Sequence, residues 1–328
     1  MIRLGRRKQD RDDAPALRLY YASDIHGTEV LWRKFLAAAR VYRAGVLVMG
    51  GDLTGKVVVP LIATDGGYEF ELFGRRERVE GEQQLDDAEQ RIRANGMYPH
   101  RMSAEEVTRV AALSTQERET WFAEVMLYTF DRWLELAAER LDDTGVRCFM
   151  MPGNDDPPGV DTSIEHAARV EACDDRIVEF DGHTMVSLGY SNRTPFDSPR
   201  ELDEEELYRR VDTLAQTLDD PSRAIFNLHV PPYDSGLDTA AELDEDLSVV
   251  MAGSEPNMIP VGSTAVRELI ERYQPLLGLH GHVHESAGAT RIGRTLCINP
   301  GSDYHTGRIS GCLMQLREDR VTHQFVTG

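Results

Sequence analysis

Positive charge is what this 328-residue chain has least of: 36 basic residues face 56 acidic ones, for a formal net charge of −20. Such a balance argues against broad, nonspecific binding to nucleic acid or to anionic membranes, because both depend on clustered basic groups. It leaves room for a small electropositive site, since bound metal ions can invert the local field. Lysine is especially scarce, with only Lys8, Lys34 and Lys56, a bias that genome composition or a saline habitat would each produce. Cysteine is limited to Cys148, Cys173, Cys297 and Cys312, which form no Cys-x-x-Cys. No zinc knuckle or redox pair is therefore suggested, and reduced thiols in a cytoplasmic protein are the simplest reading. Long apolar runs are missing too, and no segment approaches the roughly 18 residues that a membrane span needs. Met1 to Asp13 mixes charges of both signs without an apolar segment, so secretion is not expected, and the stretch reads as a frayed tail rather than a basic binding arm.

What is present is 41% hydrophobic residues in 328, enough length for one large α/β domain or two modest ones with a buried core. Leu276-Leu277-Gly278-Leu279-His280-Gly281-His282-Val283-His284 is an apolar run that ends in a glycine and a cluster of imidazoles. A buried parallel strand fixes its own backbone, and in α/β sheets ligands bind beyond the carboxyl ends of the strands. His282 and His284, two residues apart, can direct their nitrogens toward one metal or toward two adjacent ones.

Other strands are predicted to end in the same way. Leu17 to Ser23 leads to Asp24 and His26, and an amphipathic helix over Thr28 to Arg43 connects it to Val46 to Met49, which closes on Asp52. Val146 to Met151 leads to Pro152-Gly153-Asn154-Asp155-Asp156, and Ala224 to Leu228 leads to His229, Pro231 and Pro232. Helices are expected over Thr162 to Ala172, Leu202 to Leu218 and Ser263 to Tyr273, with strands at Arg176 to Phe180 and Thr184 to Tyr190. Asp234 to Gly262 reads as an acidic, turn-rich loop beside the site. Four antiparallel strands are expected near the C-terminus, with Asn299-Pro300-Gly301-Ser302 as a turn between two of them.

The segment 57–145 breaks the βαβ pattern. Its first part, to Arg78, reads as short β segments, Gln83 to Ala94 as a charged helix, and two capping boxes, at Ser103/Glu106 and Ser114/Glu117, start further helices. The second of these can run to Asp143 and bury Trp121, Phe122, Val125, Met126, Phe130, Trp133, Leu134 and Leu141. The expectation is an α-rich insertion that partly caps a single domain spanning 1–328. Gly50-Gly51-Asp52-Leu53-Thr54-Gly55-Lys56 imitates seven positions of a P-loop, but Val57 stands where the magnesium-binding Ser or Thr belongs and a strand-like run follows.

Asp24/His26, Asp52, Asn154, His229 and His282/His284 thus occupy five predicted strand ends. Their order and spacing resemble the calcineurin-like metallophosphoesterase superfamily, whose pattern is D-x-H, G-D, G-N-[HD]-[DE], H and G-H-x-H. The details are most similar to bacterial and archaeal phosphoesterases with G-N-D-D. The resemblance implies a four-layer αββα sandwich of two mixed sheets. It implies Asp24, His26, Asp52 and His284 on one metal, and Asp52, Asn154, His229 and His282 on the other, with Asp52 bridging. It also implies hydrolysis of a phosphoric ester, a diester before a monoester, by a hydroxide that bridges the metals.

The chemistry of the residues agrees with that implication. Two divalent ions carry four positive charges against the two carboxylates and one hydroxide, which leaves about one unit to attract phosphate. Imidazole-rich coordination suits Mn²⁺, with Fe or Zn as alternatives. Metals about 3.5–4 Å apart can acidify a shared water and stabilise phosphoryl oxygens. Asp155 stands where many relatives have a histidine. A carboxylate beside two cations stays ionised and is a poor acid, so His305 is a candidate to take part, and Asp156 to orient a loop or a ligand. Asn154, Lys56 and Arg75 are candidates to meet the substrate, with Tyr304 beside them. His280 reads as a packed histidine, and the sequence assigns no role to His100, His166, His183 or His323. The expected partner is a small phosphorylated substrate, with no membrane and an open oligomeric state. A nuclease, or a scaffold of the same fold without catalysis, are the competing readings. The acidic charge speaks against the first and the intact ligand set against the second.

Overall fold

The computed structural model describes residues 16–317 and 319–328; the expected frayed tail at Met1 to Asp13 lies outside them. Period-two alternation organises its sheets. In the strand Leu17–Ala22, Leu19 and Tyr21 belong to one apolar layer and Tyr20 and Ala22 to another. Val46–Met49 and Arg147–Met150 repeat the division, with Val46, Val48 and Phe149 on the first side and Leu47, Met49, Cys148 and Met150 on the second. Burial on both faces is what a parallel sheet demands of its strands.

The first six-stranded sheet runs, in spatial order, Val321–Thr327, Ser310–Leu316, Leu17–Ala22, Val46–Met49, Arg147–Met150 and Glu171–Ala172. The last four are parallel and the two C-terminal strands join antiparallel. The second six-stranded sheet runs Gly288–Ile292, Thr295–Asn299, Leu277–Leu279, Ile225–Leu228, His183–Leu188 and Arg176–Phe180. Its four central strands are parallel and both edges antiparallel.

The inner faces meet in one dry layer, with Leu19, Tyr21 and Phe149 from the first sheet against Met185, Ile225 and Leu277 from the second. The outer face of the first is covered by the helices Glu29–Val41 and Thr115–Leu141, and that of the second by Glu204–Ala215 and Thr264–Tyr273. This is the expected four-layer αββα sandwich. Helix Glu29–Val41 buries Leu31, Trp32, Phe35, Leu36 and Ala38 on one stripe. Both predicted capping boxes form, at Ser103 and Ser114. Among the described residues, no helix is long and apolar enough to cross a membrane.

Within 57–145, the helices Gly81–Ala94, Ala104–Ala111 and Thr115–Leu141 accompany a four-stranded sheet ordered Arg75–Glu80, Gly67–Leu72, Val57–Thr64 and Met97–Met102. Val59, Leu61, Phe70, Leu85 and Ile92 are buried together there as a separate small core. Lys56 is followed by a strand, so the P-loop imitation has no helix behind it. Met97–Met102 escapes a sequence reading because it carries Pro99 and no alternation. It survives as an edge strand, where proline is tolerated, paired in parallel with Val57–Ile62.

Two expectations need correction. The helix predicted over Thr162 to Ala172 is only Val160–Glu165, and Glu171–Ala172 is instead a strand paired with Phe149 and Met150. The loop predicted from Asp234 to Gly262 contains two small antiparallel pairs, Thr239–Ala241 with Met258–Pro260 and Met251–Ala252 with Glu255–Pro256. Glu171–Ala172 obtains its backbone partner from a distant strand, while the loop pairs with itself through segments of two or three residues, too short for local periodicity to report.

Trp32 joins the outer helices: it is fully buried, stacks on Trp133, and donates its indole N–H to the Trp133 carbonyl at 2.9 Å. Trp32→Ala should cost about 3–5 kcal/mol, read as a lower urea midpoint with little change in slope.

Candidate metal centre

Parallel strands from both sheets end on one rim. The first sheet delivers Asp24 and His26 after Leu17–Ala22, Asp52 after Val46–Met49, and Asn154 after Arg147–Met150; the second delivers His229 after Ile225–Leu228, and His282 and His284 after Leu277–Leu279. Four of these residues take the left-handed backbone conformation: Asp24 at φ 59°, His26 at 39°, Asp52 at 51° and His282 at 66°. Such strain in non-glycine residues costs roughly 1–3 kcal/mol each and persists where the surroundings over-determine it.

The side chains form two overlapping groups able to hold metal ions. Asp24, His26, Asp52 and His284 make one, Asp52, His229 and His282 the other, and within each group the donor atoms lie within 4.8 Å of one another. Asp52 belongs to both. Its Oδ1 lies 3.4 Å from His229 Nε2 and its Oδ2 3.7 Å from His26 Nε2. Asn154 closes the second group, its Oδ1 3.1 Å from His229 Nε2 and 2.7 Å from His282 Nδ1. All seven sequence-predicted ligands are thus brought together.

The charges answer one another. Burial opposes ionisation of Asp52, yet His229, His26 and His282 around it hold its carboxyl well below the usual range. Asp24 is likewise lowered against the effect of its burial by His284 and His229. His229 rises to about 10 despite its burial, because Asp52 and Asp24 face it. Burial and His229 push His282 down to about 4. His229 Nδ1 is anchored on the Gly50 carbonyl at 2.8 Å, which leaves Nε2 to face the cluster.

This donor set fits metal ions. His26 and His284 turn their Nε2 atoms toward each other at 3.0 Å, where a single hydrogen can serve only one of them, whereas imidazole and carboxylate donors around a shared Asp52 suit divalent transition ions.

Supports around the ligands hold them in place, Asp156 in the loop-orienting role expected of it and Asn299 in one that the sequence did not show. Asp156 is fully buried and accepts from the backbone N–H groups of Leu53, Thr54 and Gly153 and from the Thr54 hydroxyl, at 2.7–3.0 Å. It thereby ties the Asp52 loop to the Asn154 loop. Asn299 donates to the carbonyls of Gly281, Val283 and Leu237, and the Ser302 hydroxyl donates to the Asp24 carbonyl at 2.6 Å. The Asn299-Pro300-Gly301-Ser302 turn therefore straps the His282/His284 loop to the Asp24 loop. Gly281 has no room for a side chain, since a Cβ there would stand 2.4 Å from Asp24 Oδ2. The segment 57–145 reaches the same place: the Tyr98 hydroxyl accepts from Gly55 N–H at 2.7 Å, and a Cβ at Gly96, φ 72°, would meet the His26 carbonyl at 2.3 Å.

The remaining candidates divide. Asp155 borders the cluster, donating its backbone N–H to Asp52 Oδ1 at 3.0 Å, and pairs with Lys56 at 2.7 Å. The Tyr304 ring lies 4.7 Å from that of His26 and 5.8 Å from that of His284. His305 is exposed and lies tilted against Tyr304, their ring centroids 4.0 Å apart, and none of its described contacts reaches a ligand. Arg75 is exposed on the outer edge strand of the four-stranded sheet. His280 is buried away from the donor atoms, its Nδ1 2.9 Å from the Leu228 carbonyl.

No family model matches the chain. The uncharacterized protein MJ1162 of Methanocaldococcus jannaschii is 31% identical over 170 residues, spanning 51% of this chain and 68% of that protein. The chain belongs to the family of MJ1162. One crystal structure aligns with 94% of this chain and 98% of its own at a TM-score of 0.53 and 15% identity, a likeness of fold. TT1561 of Thermus thermophilus aligns over the same shares at a TM-score of 0.49 and 14% identity. The four-layer sandwich is that of the calcineurin-like metallophosphoesterase fold.

Asp156→Asn should test the clamp in this member of the MJ1162 family. An amide places an N–H₂ against donors, so a loss of about 2–3 kcal/mol in denaturant stability is expected. Bound metal, measured by elemental analysis, should fall with it, although Asp156 is not a ligand.

Proposed function

We propose that the protein is a dinuclear-metal-dependent phosphoric ester hydrolase acting on a small phosphorylated substrate, with a diester favoured over a monoester. The observation that carries this reading is the pair of ligand groups sharing Asp52 at the joint rim of two sheets. Asp24, His26, Asp52 and His284 would hold one ion, and Asp52, Asn154, His229 and His282 the other. Manganese is the metal proposed, with iron or zinc as alternatives, because neutral imidazoles outnumber carboxylates.

Divalent ions bound there would supply Lewis acidity, able to lower the pKa of water and neutralise charge on phosphoryl oxygens. The chain's own residues do the rest. Asp52, held anionic, offers one oxygen toward each group of donors. The Gly50 carbonyl orients His229, and Asp24 is fixed by accepting the His282 backbone N–H at 3.0 Å. Asn154 adds an uncharged oxygen and therefore no further negative charge against an incoming phosphate. The strained ligand residues are set by the fold before any substrate arrives, which limits reorganisation during the reaction. Four free, buried cysteines support a reducing, cytoplasmic setting.

Hydrolysis of bis(p-nitrophenyl) phosphate should rise with added Mn²⁺, and Asp52→Asn should lower it by at least about 100-fold, the upper end of what loss of even an outer partner costs. A wild-type protein that carries two metal ions per chain and cleaves neither diester nor monoester would overturn the reading.

A further inference from the structure

A carboxylate at the edge of a phosphate-binding site repels the substrate unless a cation accompanies it. Asp155 is such a group: its Oδ2 lies 3.9 Å from His26 Nδ1 and its backbone N–H is bound to Asp52. Both carboxylate oxygens are engaged. Oδ2 meets Lys56 Nζ at 2.7 Å, and Oδ1 accepts from the Ser198 hydroxyl at 2.8 Å, with Asn154 Nδ2 at 3.5 Å. Asp155 is thus held from two sides, and it holds the ammonium in turn.

Lys56 is positioned for more than an ion pair. Its side chain is 62% exposed, so the ammonium, with three N–H donors and one spent on Asp155, keeps donors free at the rim of the centre. The two residues before it are anchored, Thr54 by Asp156 and Gly55 by donating its N–H to Tyr98. The chain otherwise relies on arginine, with only three lysines among 36 basic residues. A compact ammonium differs from a guanidinium fork in acting as a point charge with rotatable donors.

We propose that Lys56, tethered by Asp155, is a phosphoryl-binding, specificity-determining residue that contacts a non-bridging oxygen of the substrate at the rim of the metal centre. This rests on the phosphoesterase reading and goes further by assigning the residue that meets the phosphoryl group. The simpler alternative, that Lys56 only neutralises Asp155, is what an exposed surface pair ordinarily amounts to.

A double-mutant cycle separates the two. Inorganic phosphate binding to the Mn²⁺-loaded protein is measured by calorimetry, with metal content determined for each variant and KM for bis(p-nitrophenyl) phosphate alongside. Lys56→Met should weaken phosphate binding about tenfold or more, the range for a hydrogen bond to a charged group, and raise KM in step while metal content holds. Asp155→Asn should give a smaller loss, since the ammonium stays but is untethered. The double variant should be no weaker than Lys56→Met alone. Phosphate affinity unchanged in Lys56→Met would overturn the proposal, as would recovery of wild-type affinity in the double variant or a metal-loaded wild type that binds no phosphate. A wild type that binds phosphate yet cleaves no ester would count against the hydrolase reading alone, with Lys56 still judged by the phosphate affinities.

Discussion

Mutual neutralisation around the Asp52 carboxylate is the interaction on which the rest of the structure depends. Two carboxylates and four imidazoles are withdrawn from water at one point, and burial of isolated charges is among the costliest things a fold can do. The cluster answers the problem internally: acids hold His229 charged, and imidazoles hold Asp52 and Asp24 ionised. It is a balance that divalent cations could take over from protons, since ligating imidazoles must be neutral and ligating carboxylates charged.

The sheets are arranged around that requirement. Neither sheet carries a complete ligand set, because Asp24, His26, Asp52 and Asn154 come from one and His229, His282 and His284 from the other. Their relation is set by the dry layer of Leu19, Tyr21, Phe149, Met185, Ile225 and Leu277 between them. Packing at crystalline density transmits small displacements, so apolar side chains below the rim govern distances among the ligands. The C-terminal segment reinforces the join: Thr295–Asn299 lies in the second sheet, Ser310–Leu316 in the first, and the turn between them binds both the Asp24 and His284 loops.

The segment 57–145 belongs to this machinery as well as to itself. It has its own small core, yet its long helix supplies the outer layer of the first sheet, and its turn at Asn95 and Gly96 lies against the backbone of Gly27 and Gly55. Three glycines there allow three loops to touch main chain to main chain. A side chain at any of them would separate the segment from the loop that carries His26.

Legibility in the sequence followed from how local each signal is. Strand ends rich in Asp and His were visible because a buried strand announces itself by its apolar run and the ligands follow directly, as at Val46–Met49 with Asp52 and at Leu277–Leu279 with His282 and His284. The two capping boxes were visible because three residues define them. Met97–Met102 and Glu171–Ala172 were not, because their partners are distant, and the small pairs within 239–260 were not, because segments of two or three residues carry no periodicity. What the sequence by itself determined was which residues could bind metal and which layers would enclose them. Tertiary structure alone decided the distances that place Asp52 between the two groups, which loops Asp156 and Asn299 tie together, and that Lys56 pairs with Asp155 while Arg75 stays on an outer edge. Those outcomes depend on contacts between segments far apart in sequence, set by strand pairing within the first sheet for Asp156 and Lys56, and by the packing of one sheet against the other for Asp52.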